Sequence, residues 1–244
     1  MDDSKRIIRS YSWAVVQQFL DVLFPVHCAG CQKSGHVLCP SCIAQIQPLP
    51  SPICQHCGTP LFPGSICKSC QYHPLKLNGQ RVLSSYQEPL RTCIRALKYY
   101  GNTRLAEPLG LLLAQAYSCY GIQADIMIPV PLHSERQRQR GYNHAFLLAK
   151  VCSARLGIPL LEDVLVRHRA TVAQVDLNPK DRYQNVAGAF RCTAAFATEL
   201  LYGRRIVVVD DVSTTGSTLE ACAAPLFAAG AEAVYGLVLA RPIV

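Results

Sequence analysis

The sequence predicts an α/β domain with a mainly parallel sheet, preceded by a small cysteine-rich module. Three observations lead to this fold class. From about residue 78 onward, apolar segments of strand length alternate with segments of helix length, as in proteins built from βαβ units. The segment IVVVDD at 206–211 is apolar up to its two acids, which is typical of a strand covered on both faces. Eight of the 13 cysteines occur in four CxxC pairs within the first 70 residues.

The composition narrows the class of protein. The chain of 244 residues suffices for one ordinary domain and a smaller one, and with 50% hydrophobic and 16% charged residues it can form a sizeable core. The formal net charge of +8 suits phosphate-bearing ligands or nucleic acid without selecting between them. No stretch has the roughly 18 apolar residues of a membrane span, and no signal-peptide cleavage site is evident. We therefore expect a cytoplasmic protein with reduced cysteines and no membrane span.

Three regions follow from changes in composition along the chain. Residues 1–24 contain an apolar stripe at helical spacing, which predicts an amphipathic helix that lies on the protein's own surface; a membrane or a partner protein is the alternative contact. Residues 25–76 are loop-like and contain the paired cysteines, whereas residues 77–244 hold the alternating elements. The stripe consists of Trp13, Val16, Phe19, Leu20 and Leu23.

The third region contains four predicted strands and four predicted helices. Short apolar runs rich in valine and isoleucine predict strands, and longer amphipathic runs predict helices. Gly101 and Gly157 end two of the helices, because glycine readily adopts the left-handed conformation that closes a helix. The predicted strands are VLSSY (82–86), IMIPV (126–130), IVVVDD (206–211) and AVYGLVLA (233–240), and the predicted helices cover 89–100, 103–120, 143–157 and 217–229.

The cysteine pairs form two similar units, with the spacings CxxC-x7-CxxC and CxxC-x9-CxxC. One CxxC turn presents two thiolates to a zinc ion, and a second turn completes a tetrahedron that supplies folding energy. Pairing in sequence order would form two structural zinc sites; a cross-braced pairing and a single zinc with one idle set are the alternatives. The first unit contains Cys28, Cys31, Cys39 and Cys42, and the second contains Cys54, Cys57, Cys67 and Cys70.

Two adjacent acids, Asp210 and Asp211, stand at the end of the strand IVVVDD and precede a hydroxyl-rich loop. Open α/β sheets bind ligands at the carboxyl ends of their strands. Carboxylates accept hydrogen bonds from vicinal hydroxyls, and a loop that opens a helix binds anions through free N–H groups. A sugar phosphate fits both features; a strand-end turn with threonine caps and an aspartate-based metal site are the alternatives. The loop contributes Ser213, Thr214, Thr215, Gly216, Ser217 and Thr218.

These motifs carry a resemblance to a known family. The segment VVVDDVSTTGST (207–218) resembles the motif with which type I phosphoribosyltransferases bind phosphoribosyl diphosphate (PRPP). The segment PVPLHSERQRQRGYNHAFLLAK (129–150) is similar to a signature of the ComF-like proteins, as are LKYYGN (97–102) and the segments 167–190 and 230–241. The resemblance implies a double zinc ribbon followed in the chain by a type I phosphoribosyltransferase fold, a parallel sheet with flanking helices.

The resemblance also implies roles for further residues. It places the diphosphate of PRPP, with Mg2+, at a loop formed by PLHSERQR (131–138) after the strand IMIPV. Arg136 would stabilise the leaving diphosphate, with His133 and Arg140 beside it; a solvated basic loop or a DNA-backbone contact is the alternative. Lys98 would line the same cleft, or have no role as a helix-end residue. Residues 170–182, with Gln174 and Arg182, resemble the hood that closes over the reacting centre in related transferases.

The resemblance implies a role in natural competence, in which internalised single-stranded DNA passes a competence helicase and reaches a recombination mediator. Three hypotheses remain open. The chain is an enzyme that transfers the phosphoribosyl group with Asp210, Asp211 and Arg136 as catalytic residues, or an adaptor that grips single-stranded DNA. The third is a nucleotide-salvage phosphoribosyltransferase with no link to DNA. No segment identifies the base or amine that would accept the ribosyl group. The sequence also does not decide whether the protein catalyses a reaction.

Overall fold

The structure is a computed structural model, and it describes residues 25–61, 64, 66–170, 179–193 and 199–243. The helix predicted within residues 1–24 lies outside these residues. The predicted division of the chain at 24/25 and at 76/77 stays a prediction.

Four parallel strands form the central sheet, in the order β1-β6-β5-β2. Their register places Val208 of β5 between Ile128 of β2 and Gly236 of β6. Because all four strands are parallel, their carboxyl ends meet at one edge of the sheet, where β5 ends in its two acids. The strands are β1 (Gly79–Ser85), β2 (Ile126–Pro129), β5 (Arg205–Val212) and β6 (Ala233–Arg241).

Helices cover both faces of this sheet, so that alternate residues of each strand enter different cores. Val207 and Val209 of β5 belong to the core beneath one set of helices, whereas Ile206 and Val208 belong to the core beneath another helix. The first face is covered by α3 (Leu90–Tyr99), a 3-10 turn (Thr103–Leu105), α4 (Ala106–Cys119) and α6 (His144–Leu156), and the second by α8 (Ser217–Ala228). The α/β class with a parallel sheet is confirmed.

Two parts of the domain depart from the sequence prediction. The segment expected to be a loop after β2 is a helix, α5 (Ser134–Arg140), that ends at the left-handed Gly141. The segment SERQRQR contains no apolar residue, so hydrophobic periodicity could not reveal the helix. A short antiparallel pair, β3 (Leu165–Arg167) and β4 (Phe190–Cys192), was also missed, because three residues are too few to establish a strand period. The helix α7 (Pro179–Val186) lies between β3 and β4 in the chain.

The cysteine-rich module contains two short helices, each of which begins directly after the third cysteine of its unit. Helix α1 (Pro40–Gln45) follows Cys39, and α2 (Lys68–Tyr72) follows Cys67. Backbone hydrogen bonds join the module to β1, since the N–H of Leu49 donates to the carbonyl of Leu83. The module therefore lies against β1, the edge strand of the sheet.

Candidate functional site

The eight paired cysteines gather into two clusters of four sulfur atoms, and within each cluster the sulfurs lie within 4.8 Å of one another. The Sγ atoms of Cys31 and Cys39 are 3.6 Å apart, and those of Cys57 and Cys67 are 3.7 Å apart. A zinc tetrahedron with Zn–S bonds of about 2.3 Å has edges of about 3.8 Å. Both clusters therefore fit one zinc ion each, and they follow the pairing in sequence order rather than a cross-braced pairing.

We call residues 28–42 the first cysteine unit and residues 54–70 the second cysteine unit. Equivalent hydrogen bonds occur in both units. In each unit the sulfur of the first cysteine accepts a hydrogen bond from the backbone N–H of the third. The N–H of Cys39 donates to Sγ of Cys28 at 3.3 Å, and the N–H of Cys67 donates to Sγ of Cys54 at 3.4 Å. Such N–H···S contacts stabilise thiolate ligands around a metal. The equivalence indicates the same metal chemistry in both units.

A different set of side chains gathers where β5 ends. Asp211 is almost fully buried, and Lys98 of α3 donates to both of its carboxylate oxygens, at 2.9 and 2.7 Å. Asp210 is half-buried, and its Oδ1 accepts the N–H of Asp211 at 2.8 Å. Lys98 thus neutralises one acid of the pair and leaves the other facing the cleft. Lys98, which was predicted to line the cleft or to have no role, lies in contact with Asp211; its role in ligand binding stays a prediction.

Burial and charge make the two acids inequivalent. Burial would raise the pKa of Asp211, but the charges and hydrogen bonds of Lys98 and His144 together outweigh this effect and lower that pKa well below its usual value. Burial, together with the charge of Asp211, raises the pKa of Asp210 to about 7. At neutral pH the site therefore holds one firmly ionised carboxylate and one carboxyl that is close to its point of titration.

His144 is a member of this cluster that sequence analysis did not assign a role. It is buried at the start of α6, and its Nε2 lies 3.5 Å from Oδ2 of Asp211. Its Nδ1 lies 2.7 Å from a guanidinium nitrogen of Arg140, which itself stacks on the ring of Tyr99 at 5.6 Å. A guanidinium has no acceptor, so Nδ1 must be unprotonated and Nε2 carries the hydrogen. Burial lowers the pKa of His144, consistent with this neutral form.

The geometry of His144, Asp210 and Asp211 would allow a metal ion, since their ligand atoms lie within 4.8 Å of one another. The hydrogen on Nε2 of His144 and the ammonium of Lys98 occupy the positions that a directly bound ion would need. The cluster therefore suits a ligand that brings hydrogen-bond donors better than a bare cation.

The hydroxyl-rich segment 213–218, which we call the phosphate loop, links β5 to the amino end of α8. Asp210 and the residues 212–218 line one small hollow. Gly216 has φ of +87°, a left-handed conformation, and the first-turn N–H groups of α8 that follow have no partner within the helix. The structure thus brings Asp210 and the predicted anion loop to the same hollow.

Two arginines come close to each other near Asp210. Arg136 lies on α5, and Arg167 lies on β3, whose backbone bridges to His133. Burial, together with the nearby positive charge of Arg136, lowers the pKa of Arg167, which is also close enough to Asp210 to be influenced by it. Sequence analysis assigned no role to Arg167, although this residue begins the segment 167–190 that resembles the ComF-like proteins. Gln174 lies outside the described residues, and Arg182 belongs to α7.

Comparisons with known proteins agree with this architecture. A family model described as a double zinc ribbon domain matches residues 19–71, and one described as a phosphoribosyl transferase domain matches residues 143–242. A relative named competence protein F, from Haemophilus influenzae, is 35% identical over 228 residues, which cover 89% of this chain and 98% of that protein. The chain belongs to the competence protein F family. Its sheet is therefore a phosphoribosyltransferase-type sheet, and its cysteine units are zinc ribbons that hold structural zinc.

Other relatives carry related names. A DNA utilization protein YhgH from Salmonella typhimurium is 32% identical over 78% of this chain and 85% of that protein. Competence protein ComFC from Bacillus subtilis is 23% identical over 82% of both chains. A solved structure titled as the allosteric regulatory enzyme of purine biosynthesis is 20% identical, with a TM-score of 0.40. The match covers 60% of this chain and 30% of the chain of that enzyme. Among the residues that the structure of this chain describes, no helix is long and apolar enough to cross a membrane.

Removal of one sulfur from either cysteine unit should release one zinc ion per chain. We expect Cys42→Ser and Cys70→Ser each to retain one ion instead of two, because four thiolates are needed to close each tetrahedral site. Metal analysis of the purified variants measures this content. Cys119→Ser is the control, since Cys119 is exposed and belongs to neither cluster. Two ions in Cys42→Ser would show that three thiolates suffice and would contradict the requirement for four.

Asp210→Asn tests the electrostatics of the acid pair. Because the pKa of Asp210 is raised in the folded protein, its favourable contribution is complete below about pH 4 and is lost as the pH rises to about 7. Asparagine does not ionise, so the stability of Asp210→Asn relative to the wild type should rise by about 2 kcal/mol between pH 5 and pH 8. Urea titrations at each pH measure the difference.

Asp125→Asn is the control for this pH profile. Hydrogen bonds and the charge of Arg205 lower the pKa of Asp125, so this carboxylate is ionised in both the folded and unfolded states above about pH 5. The stability difference between Asp125→Asn and the wild type should therefore not change over the same range. An equally constant difference for Asp210→Asn would show that the acid pair is not strained by charge.

Proposed function

We propose that this protein binds a ribose 5-phosphate group, as PRPP or as a nucleotide, and that it acts in DNA uptake by handling incoming single-stranded DNA. The observation that carries the first part is the hollow that joins Asp210 to the phosphate loop. The hollow is lined by the carboxylate of Asp210, which would accept the vicinal hydroxyls of a ribose 5-phosphate, and by the phosphate loop, whose N–H groups would hold its phosphate. The names of the relatives support the second part.

The ribose hydroxyls would donate to the acid pair. Asp211 is already held by Lys98, so Asp210 is the carboxylate with acceptor capacity toward the cleft. A hydroxyl bound to Asp210 favours the ionised form, which offsets the effect of burial on its pKa. Lys98 and His144 then act as positioning residues, because they hold Asp211 and keep the pair in one arrangement.

The diphosphate of PRPP would lie between Arg136 and Arg167. The two guanidinium groups are close enough for the charge of one to lower the pKa of the other, and an anion placed between them would relieve this repulsion. Bound Mg2+ would neutralise diphosphate charge as a Lewis acid. In a transfer reaction the C1–O bond of PRPP would break, the diphosphate would leave toward Arg136 and Arg167, and the acceptor would form the new bond to C1.

Single-stranded DNA would contact the surface beside this site. Tyr99 and Tyr100 are 57% and 71% exposed at the carboxyl end of α3. Arg95 and Tyr100 line a cleft of about 510 Å³ between α3 and the first cysteine unit, with His27 on the opposite wall. Aromatic rings interleaved with positive charge are how proteins hold single strands without reading their sequence. The competence helicase and a recombination mediator would be the partners that deliver and receive the strand.

Calorimetric titration with Mg-PRPP tests the ligand site. We expect micromolar binding by the zinc-loaded wild type, and a loss of at least about 100-fold, or about 2.7 kcal/mol, in the double variant Asp210→Asn/Asp211→Asn. Arg136→Gln should weaken binding of PRPP but leave binding of ribose 5-phosphate unchanged, because the latter lacks the diphosphate. Arg138→Gln is the matched control, since Arg138 is exposed on the same helix. No binding of PRPP or ribose 5-phosphate by the wild type would refute a sugar-phosphate site.

Fluorescence anisotropy with a labelled single strand of about 16 nucleotides tests the DNA role. We expect affinity to fall steeply between 50 and 200 mM salt, as about six phosphate contacts would require. Tyr100→Ala should weaken binding about tenfold through the loss of one stacked base. Tyr72→Ala is the control, since Tyr72 is 79% exposed at the carboxyl end of α2. Intact PRPP binding without DNA binding would favour a salvage phosphoribosyltransferase with no DNA role.

A further inference from the structure

We infer that the second cysteine unit positions the phosphate loop through Gln80 and Arg241, so that metal binding by this unit sets the affinity of the loop for a phosphate group. This inference rests on the proposed function for the identity of the ligand. The contacts that carry it lie between Cys57, which is a zinc ligand, and the residues that open the loop.

The carbonyl oxygen of Cys57 accepts two side-chain hydrogen bonds. Nε2 of Gln80 donates to it at 3.2 Å, and a guanidinium nitrogen of Arg241 donates at 2.6 Å. Gln80 lies on β1 and Arg241 ends β6, so both donors belong to the phosphoribosyltransferase sheet. The backbone of a metal ligand is thus held directly by the domain that carries the site.

The other ends of the same two side chains hold the phosphate loop. Oε1 of Gln80 accepts the hydroxyl of Ser213 at 2.8 Å, and the second guanidinium nitrogen of Arg241 donates to the carbonyl of Thr214 at 3.1 Å. Gln80 is completely buried, so its amide cannot exchange these partners for water. Each side chain therefore bridges Cys57 to one of two consecutive loop residues.

An apolar contact adds a third link at Gly216. Leu75 packs against the cysteine cluster of the second unit, and it also lies over Gly216. A Cβ atom at position 216 would lie only 2.6 Å from Cδ1 of Leu75. The close fit keeps the left-handed turn at Gly216 in place, and that turn aims the amino end of α8 at the hollow.

The first cysteine unit has a different neighbour. Its residues Cys28, Cys39 and Cys42 belong to the core beneath α3, and Gly30 lies against Pro89, which precedes that helix. The second unit is therefore the one whose folding reaches the phosphate loop. Since a ribbon of this size depends on its metal to fold, loss of zinc from the second unit would remove the common acceptor of both bridges. Zinc binding and phosphate binding are then coupled, and the coupling must be reciprocal.

The test compares Gln80→Leu and Arg241→Met with Arg205→Met. Arg205 lies at the opposite end of β5 and pairs with Asp125, so it is a matched arginine without contact to the loop. We expect Gln80→Leu and Arg241→Met each to retain two zinc ions yet to bind ribose 5-phosphate about tenfold more weakly. Arg241→Lys should fall between Arg241→Met and the wild type, because lysine reaches only one of the two carbonyls. Arg205→Met should bind as the wild type does.

Amide hydrogen exchange gives a readout that needs no ligand. The amides of 213–218 should exchange faster in Gln80→Leu and Arg241→Met, with the rest of the sheet unchanged. Unchanged exchange and unchanged affinity in both variants would overturn the inference. If the wild type fails to bind ribose 5-phosphate while the loop exchange still responds, the positioning role stands and the proposed ligand is wrong. Ribose 5-phosphate should also slow the release of one of the two zinc ions to a chelator.

Discussion

The ion pair between Lys98 and Asp211 is the interaction on which the site depends. Two carboxylates at neighbouring positions of a buried strand repel each other, and water cannot screen them there. Lys98 neutralises the more buried acid, so Asp210 can remain beside it and face the cleft. Because Lys98 lies on α3, that helix must stay against the sheet for the acid pair to keep its arrangement. The requirement extends to the first cysteine unit, which packs beneath α3.

The two cysteine units therefore support opposite sides of one site. The first lies under the helix that carries the counter-ion, and the second holds the loop that would bind phosphate. Neither segment contains enough apolar residues to fold without a metal. Zinc in this protein thus contributes to the shape of a site that lies on the neighbouring domain, although a tetrahedral four-thiolate site has no open position for chemistry.

Several features could be predicted because their patterns are local. The continuous apolar run of β5 indicated a central parallel strand, and the acids at its end indicated the ligand edge. The repeated CxxC pairs indicated metal sites. Helix α5 and the pair β3–β4 escaped prediction, because one has no apolar residue and the others are too short for a period. His144 and Arg167 escaped for another reason, since nothing near them in the chain marks them as neighbours of the acids.

The sequence by itself determined the α/β class, the paired cysteines as metal ligands, and the acid pair followed by a hydroxyl loop, since each is written in consecutive or regularly spaced residues. The pairing of those cysteines into two clusters needed the tertiary structure. Only the tertiary structure decided which acid is neutralised, which tautomer His144 adopts and how Cys57 reaches the phosphate loop. Lys98 and Asp211 are 113 positions apart, and Cys57 and Arg241 are 184 apart. Such pairs form because parallel strands bring their carboxyl ends to one edge, and no local pattern encodes which side chains meet there.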